Sequence, residues 1–120
     1  MEWTFRADQP IYSQLVRRIT RDILGGVLSP GQKLPAVREL AARAGVNPNT
    51  MQRAMAELEQ GGLIRSQRTA GRFVTDDENV IGEARSAMAR EEIGGFFAAM
   101  ESLGYDRAQT LQLLQEEEGS

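Results

Sequence analysis

The sequence predicts a mainly α-helical fold with one small β-hairpin, and three features of residues 34–75 carry that prediction. A helix pattern over 36–44 is broken by Gly45. A second helix, 48–60, follows with its start written into the chain. Asn47 can accept a free backbone N–H of the first turn, and Pro48 suits the first helical position, where no N–H is needed. Two strand-like runs, 63–66 and 72–75, then flank a connector, 67–71, in which Gly71 permits a turn conformation. Helix, tight turn, capped helix and hairpin is the layout of a winged helix-turn-helix, whose second helix enters the major groove. Two short C-terminal helices are expected after it. The division is a winged helix-turn-helix DNA-binding domain, 1–75, and a helical dimerisation tail, 76–120.

Before this stretch, Trp3 and Phe5 sit on a short lead and are expected to pack on the domain or on a partner chain. The first helix is predicted over 10–24, capped by Asp8 or Gln9, with Pro10 near its first position. Ile11, Leu15, Ile19 and Ile23 recur every fourth residue and form one core-facing stripe, widened by Tyr12, Val16 and Leu24. Arg17, Arg18 and Arg21 point away, toward phosphates or simply toward solvent. Residues 27–35 read as a loop with a Ser29-Pro30-Gly31 turn, Leu28 and Leu34 tucked beneath the helices, and Lys33 a candidate phosphate contact.

The functional residues cluster on the helix-turn-helix. Val37, Leu40 and Ala41 point inward, which leaves Arg38 on the other side, beside the turn, where an ion pair with Glu39 or another surface acid is the plain reading. Met51, Ala54, Met55 and Leu58 form the core face of the second helix. Asn47, Pro48, Asn49, Thr50, Gln52 and Arg53 remain for the outside, at the end that docks into the groove. Asn and Gln can pair with adenine and Arg with guanine. Thr50 can instead bond a phosphate, because backbone N–H groups at a helix start favour anions. Asn47 has a competing duty as the cap. In the hairpin, Arg68 and Arg72 flank Thr69-Ala70-Gly71, a basic wing able to follow the backbone or enter a narrow minor groove.

Residues 34–74 resemble the DNA-binding domain of the GntR family of bacterial transcription regulators. Leu34-Pro35-Ala36-Val37-Arg38-Glu39-Leu40-Ala41 is similar to the family's LPSxRxLA segment, and Gly45-Val46-Asn47-Pro48-Asn49-Thr50 to its GVNPNT turn, a form common in the YtrA-type subfamily. Glu57-Leu58-Glu59-Gln60-Gly61-Gly62-Leu63-Ile64 resembles ELExEGLI, and the wing from Arg68 to Val74 resembles RxGxGTFV, departing from it at Ala70 and Arg72. The resemblance implies that Arg38 contacts DNA. Arginine is frequent in the family where Pro48 and Gln52 stand here, so base reading by Asn49, Gln52 and Arg53 would give this chain its own site preference. It also implies dimerisation through short C-terminal helices and control of a nearby operon, commonly one encoding a transporter.

The tail changes composition. Asp76-Asp77-Glu78 make an acidic first turn, favourable against the helix dipole, for a helix over about 77–103. Ile81, Ala84 and Met88 share one side and Ile93, Phe97 and Met100 another, with Phe96 and Leu103 beside them. The first half is expected to pack on the winged domain and the second on a partner chain. Gly94-Gly95, where each glycine costs about 1 kcal/mol relative to alanine, suggests a kink or a close backbone approach. Gly104 ends this helix. Asp106 caps another over 107–117, with Ala108, Leu111 and Leu114 inward, and 116–120 is expected to fray. Ile93, Phe96, Phe97, Met100, Leu103, Leu111 and Leu114 are too many apolar groups for two short helices to bury alone, which predicts a homodimer. Its recognition helices would then fall about one DNA turn apart.

Charge agrees with this division. Residues 1–75 hold 11 basic and 6 acidic residues, a net of +5, and residues 76–120 hold 3 and 11, a net of −8. A polyanion suits the front half only. The chain has no cysteine and no histidine, so disulfides and thiolate or imidazole metal sites are excluded, and no cofactor is expected. No apolar run approaches the ~20 residues of a membrane span, and residues 1–10 lack a signal-peptide core. A cytoplasmic bacterial protein is expected, at the nucleoid when bound to double-stranded DNA. The leading reading is a sequence-specific, homodimeric repressor on a palindromic operator. A winged helix for protein contact or for replication or partition of DNA is the alternative. An enzyme is disfavoured by the absence of His, Cys and any phosphate-binding loop. A small-molecule effector has no residue set that announces it, and the interface of a dimer is left as its place.

Overall fold

The computed structural model describes residues 3–119. In α1 (Ile11–Leu24) the four-residue apolar repeat buries Leu15, Ile19 and Ile23, with Ile11 half-buried at the start. Neither Asp8 nor Gln9 caps this helix. Pro10 holds the cap position without a side-chain bond, and Asp8 pairs with Arg6 at 2.8 Å. Gln14 closes the start instead: its Oε1 accepts the Arg6 N–H at 2.7 Å, and its Nε2 donates to the Arg6 and Gln9 carbonyls at 2.8 and 3.1 Å. An amide can donate and accept at once, whereas a carboxylate only accepts.

Helix α2 (Val37–Ala44) buries Leu40, Ala41 and Ala44, and Gly45 ends it in the left-handed region at φ 69°. Helix α3 (Pro48–Gln60) buries Met51, Ala54, Met55 and Leu58 and packs on α1 and α2. Strands β1 (Ile64–Gln67) and β2 (Gly71–Val74) pair antiparallel, with Ile64 opposite Val74 and Gln67 opposite Gly71. The expected strands are thus shifted by one residue. The turn is Arg68-Thr69-Ala70, closed by the Ala70 N–H on the Gln67 carbonyl at 3.1 Å, and it leaves Gly71 in the strand. The predicted loop before α2 also carries sheet structure. Leu34 N–H bonds the Arg72 carbonyl at 2.9 Å, Val74 N–H bonds Gln32 at 2.9 Å, and Lys33 bridges to Phe73. A third edge therefore lies on β2, four residues long between Pro30 and Pro35 and invisible to periodicity.

The chain forms two compact units, one running to Glu83 and the other starting at Ala84, inside α4 (Glu78–Ser102). In the first, Asp77 accepts the Asn79 N–H at 2.9 Å to start α4, and Ile81 is buried. In the second, α4 is unbroken through Gly94-Gly95. A Cβ at either glycine would meet nothing within 4 Å, so the close approach expected there is not made within the described residues. Gly104, at φ 96°, ends α4 with the Tyr105 N–H on the Met100 carbonyl at 3.1 Å and its own N–H on Glu101 at 2.9 Å.

Helix α5 (Arg107–Glu118) starts in a capping box between Asp106 and Gln109, at 2.8 and 2.9 Å. Its expected inward face is corrected. Ala108, Leu111 and Leu114 are exposed, and Thr110 is the buried residue, its Oγ1 donating to the Asp106 carbonyl at 2.9 Å. Two helices have too little surface to enclose a leucine row. Helical bonding also continues to Gly119, whose N–H reaches the Gln115 carbonyl at 3.0 Å, against the fraying expected there. Ser120 lies outside the described residues.

Candidate nucleic-acid interface

The start of α3 is built by its cap. Asn47 Oδ1 accepts the Asn49 N–H at 2.7 Å and Pro48 takes the first helical position. That bond engages the side-chain oxygen of Asn47 and leaves its amide N–H groups for a ligand. Burial of Met51, Ala54, Met55 and Leu58 turns Asn49, Gln52 and Arg53 to the exposed side, with Thr50 half-buried between the two faces. No acidic side chain lies in the first turn, so the partial positive charge of the helix end is unopposed there.

Arg53 is held from α1. Its guanidinium carbon stands 3.6 Å from the centroid of the Tyr12 ring, a cation–π contact. A shallow hollow between these groups is lined by Ile11, Tyr12, Asn49, Thr50 and Arg53. Tyr12 reads from sequence as a core-widening residue. The available cue was its place at the N-terminal end of α1, where an aromatic ring is only half covered.

On α2, Arg38 is exposed, and Glu39 pairs with Arg43 at 3.4 Å instead. Among the described residues Arg38 carries no ion pair. Arg18 is engaged elsewhere, with Asp22 at 3.3 Å and over the Trp3 ring at 4.8 Å. Trp3 itself packs on Phe5, centroids 6.4 Å apart.

The wing presents Arg68 and Thr69 in its exposed turn. Gly71 has φ 105°, and a Cβ there would stand 3.3 Å from Cε of Lys33, so the Lys33 side chain lies against the wing. Arg72 differs from its expected role. Its Nε donates to Glu59 Oε1 at 2.6 Å, and the Ser66 hydroxyl donates to the same oxygen. Ser66 and Arg72 face each other across the hairpin, so one carboxylate of α3 grips both strands. The Ser66 bond, then Arg72, holds the Glu59 carboxyl below its ordinary range. Arg72 therefore braces the wing, with part of its guanidinium committed to Glu59. Sequence reasoning missed Glu59 and Ser66, because nothing local marks a contact across thirteen residues.

In the tail, Ile93, Phe96, Leu103, Leu111 and Leu114 are exposed, led by Leu103 at 71 %. Phe97 and Met100 are half-buried. The Phe97 ring meets Phe96 edge to face and carries Arg107 at 4.3 Å. Among the described residues no group of three acidic, histidine or cysteine side chains could hold a metal, and no helix is long and apolar enough to cross a membrane.

The family model for bacterial regulatory proteins of the gntR family matches residues 11–74, from the first turn of α1 to the end of the wing. The chain belongs to the GntR family. It is 35% identical to the uncharacterized HTH-type transcriptional regulator YhcF of Bacillus subtilis over 93% of each chain. It is 36% identical to the HTH-type transcriptional repressor YtrA of the same organism, over 73% of this chain and 68% of that one. A GntR family transcriptional regulator from Listeria monocytogenes superposes with a TM-score of 0.83 at 35% identity, covering 93% of this chain and 98% of that one. AraR(DBD) in complex with operator ORX1 superposes at 0.57 and 31% identity, over 62% of this chain and 96% of that one. The winged helix-turn-helix expected from sequence, and the likeness to YtrA, are both met. This GntR-family chain is a DNA-binding transcriptional regulator, and its relatives are regulators rather than enzymes.

Proposed function

We propose that this GntR-family chain is a homodimeric repressor that binds a palindromic operator through its recognition helices. One observation carries the reading: α3 presents Asn49, Gln52 and Arg53 on the face opposite its buried methionines, at a capped helix start with no acid beside it. In this reading the three side chains hydrogen-bond base edges in the major groove. Thr50, Pro48 and the remaining N–H groups of Asn47 lie along the adjacent phosphate. Arg38 contacts DNA from α2. Arg68, Thr69 and Gly71 place the wing on the neighbouring minor groove, and Arg72 supports it from Glu59.

Residues 1–75 form the DNA-binding domain and residues 76–120 the dimerisation tail. Ile93, Phe96, Leu103, Leu111 and Leu114, exposed in the single chain, meet the same residues of a second copy, with Phe97 and Met100 beneath them. A two-fold pair sets the half-sites about one helical turn apart. The operator complex of AraR supports the DNA partner, and the repressor YtrA supports the sign of regulation. The protein acts in the bacterial cytoplasm, on an operon near its own gene, of which a transporter operon is the example the resemblance offers.

Selection of binding sites from random duplex DNA tests this directly. The expected product is an inverted repeat with one-turn spacing, bound less tightly as salt rises because counterions are released. Enrichment of A·T-rich DNA without a repeat would overturn sequence-specific, dimeric recognition and favour an architectural role.

A further inference from the structure

The winged unit has a cleft of about 520 Å³ between α1, α2 and the segment before α2. Its floor is core: Ile19, Leu34, Leu40 and Met55 are all buried, yet each contributes to the wall. Its mouth is ringed by Trp3, Lys33, Arg43 and Asp22. The charges at the mouth do not cancel. Asp22 is paired with Arg18 at 3.3 Å, Arg43 with Glu39 at 3.4 Å in solvent, and Lys33 has no ion pair among the described residues. An apolar floor of this size, a flat indole wall and a net positive mouth have the makings of a small-ligand site, which typically spans roughly 300–1,000 Å³ with a few polar groups for orientation.

We propose that this cleft binds a small aromatic anion and that its occupation weakens DNA binding. The ring of such a ligand lies on the Leu34–Leu40 floor beside Trp3, whose own ring carries Arg18 and Phe5, and its carboxylate or sulfonate faces Lys33 and Arg43. The link to DNA is Lys33. Its Cε lies against Gly71 of the wing, and its neighbours Gln32 and Leu34 are hydrogen-bonded to β2. In this proposal Lys33, beside the wing, also contacts a DNA phosphate, so a ligand anion and that phosphate compete for one cation, and a shift of this edge moves the wing strand with it. By linkage, DNA must weaken the ligand by the same factor. The proposal rests on the winged unit being the DNA-binding part, and it places the effector there rather than at an interface of the tail.

Trp3 is the only tryptophan of the chain, so the site has a built-in reporter. The full-length protein is titrated with 1-anilinonaphthalene-8-sulfonate while energy transfer from Trp3 is read. The expected result is saturation at one probe per chain. Lys33→Glu, on an exposed position, should weaken binding at least about tenfold with an unchanged melting curve. The uncharged N-phenyl-1-naphthylamine should bind at least about tenfold more weakly than the sulfonate. Equal binding of the two probes, or full binding in Lys33→Glu, would overturn the site. Loss of the signal in Leu103→Glu would move it to the apolar tail and overturn it equally. This arm needs no DNA and stands whichever way site selection turns out. In the second arm, saturating probe should raise the apparent Kd for the selected duplex several-fold in the wild type and not in Lys33→Glu. An unchanged Kd would refute the coupling.

Discussion

Glu59 joins the recognition helix to the wing, and its removal has a calculable effect. Its Oε1 accepts from Arg72 at 2.6 Å and from Ser66, with the two charged side chains 25% and 29% exposed. A buried hydrogen bond to a charged group contributes about 1.5–3 kcal/mol, and a fully exposed pair about 0–1. This pair lies between those limits, so Glu59→Ala should cost about 1–2 kcal/mol. For a unit of this size 1 kcal/mol moves the melting point by about 4–8 °C, which sets an expected drop of about 5–15 °C. Glu59→Gln keeps an acceptor and removes the charge, and should lose about half as much. The folded-state carboxyl titrates below its ordinary value of 4.5. Its contribution is therefore complete above that value and is lost as the pH falls through and below it. Thermal melts of wild type, Glu59→Gln, Arg72→Ala and the double variant at pH 7, with the wild type and Glu59→Gln repeated near pH 3.5, read both effects. The Glu59→Gln deficit should shrink at the lower pH. A Glu59→Gln melting point within about 1 °C of wild type at pH 7, or additive single variants, would refute the strut.

Three further outcomes follow from the same geometry. Asn47→Ala removes the only side-chain cap of α3 and should cost about 1 kcal/mol in a denaturant melt, with weaker binding to the selected duplex. Tyr12→Leu keeps the apolar volume and frees Arg53, so the duplex Kd should rise about two- to fivefold, the equivalent of about 0.5–1 kcal/mol of cation–π stabilisation. In the Arg53→Ala background the same substitution should change nothing. Leu103→Glu alters a residue that is 71% exposed in the single chain. Sedimentation velocity should then report monomers with unchanged helicity. A persistent dimer would remove the tail from the interface. Phe97 is a poorer probe, because Arg107 already covers its ring.

The recognition helix was legible in the chain because everything that defines it is local. Asn47 and Pro48 specify its first turn, Met51, Ala54, Met55 and Leu58 its buried face, and Gly61-Gly62 its end. Each signal acts within a few residues, where helix geometry fixes which side chains share a face. The outward set of Asn49, Gln52 and Arg53 then follows by exclusion. The same locality placed the Gly45 turn, the Asp106 cap and the Gly104 stop.

Tertiary structure decided which of the outward groups are committed to other parts of the chain. Arg72 looked like a wing cation until Glu59 was found beneath it, and Tyr12 looked like core until Arg53 was found on its ring. The sheet edge at Gln32–Leu34 was hidden because its partner, β2, lies some forty residues on in the chain. On α5 the spacing of Leu111 and Leu114 suggested an inward face, but both stand exposed among the described residues. Periodicity reports which residues share a side of a helix. What stands opposite that side depends on where distant segments come to rest, and no local pattern encodes it.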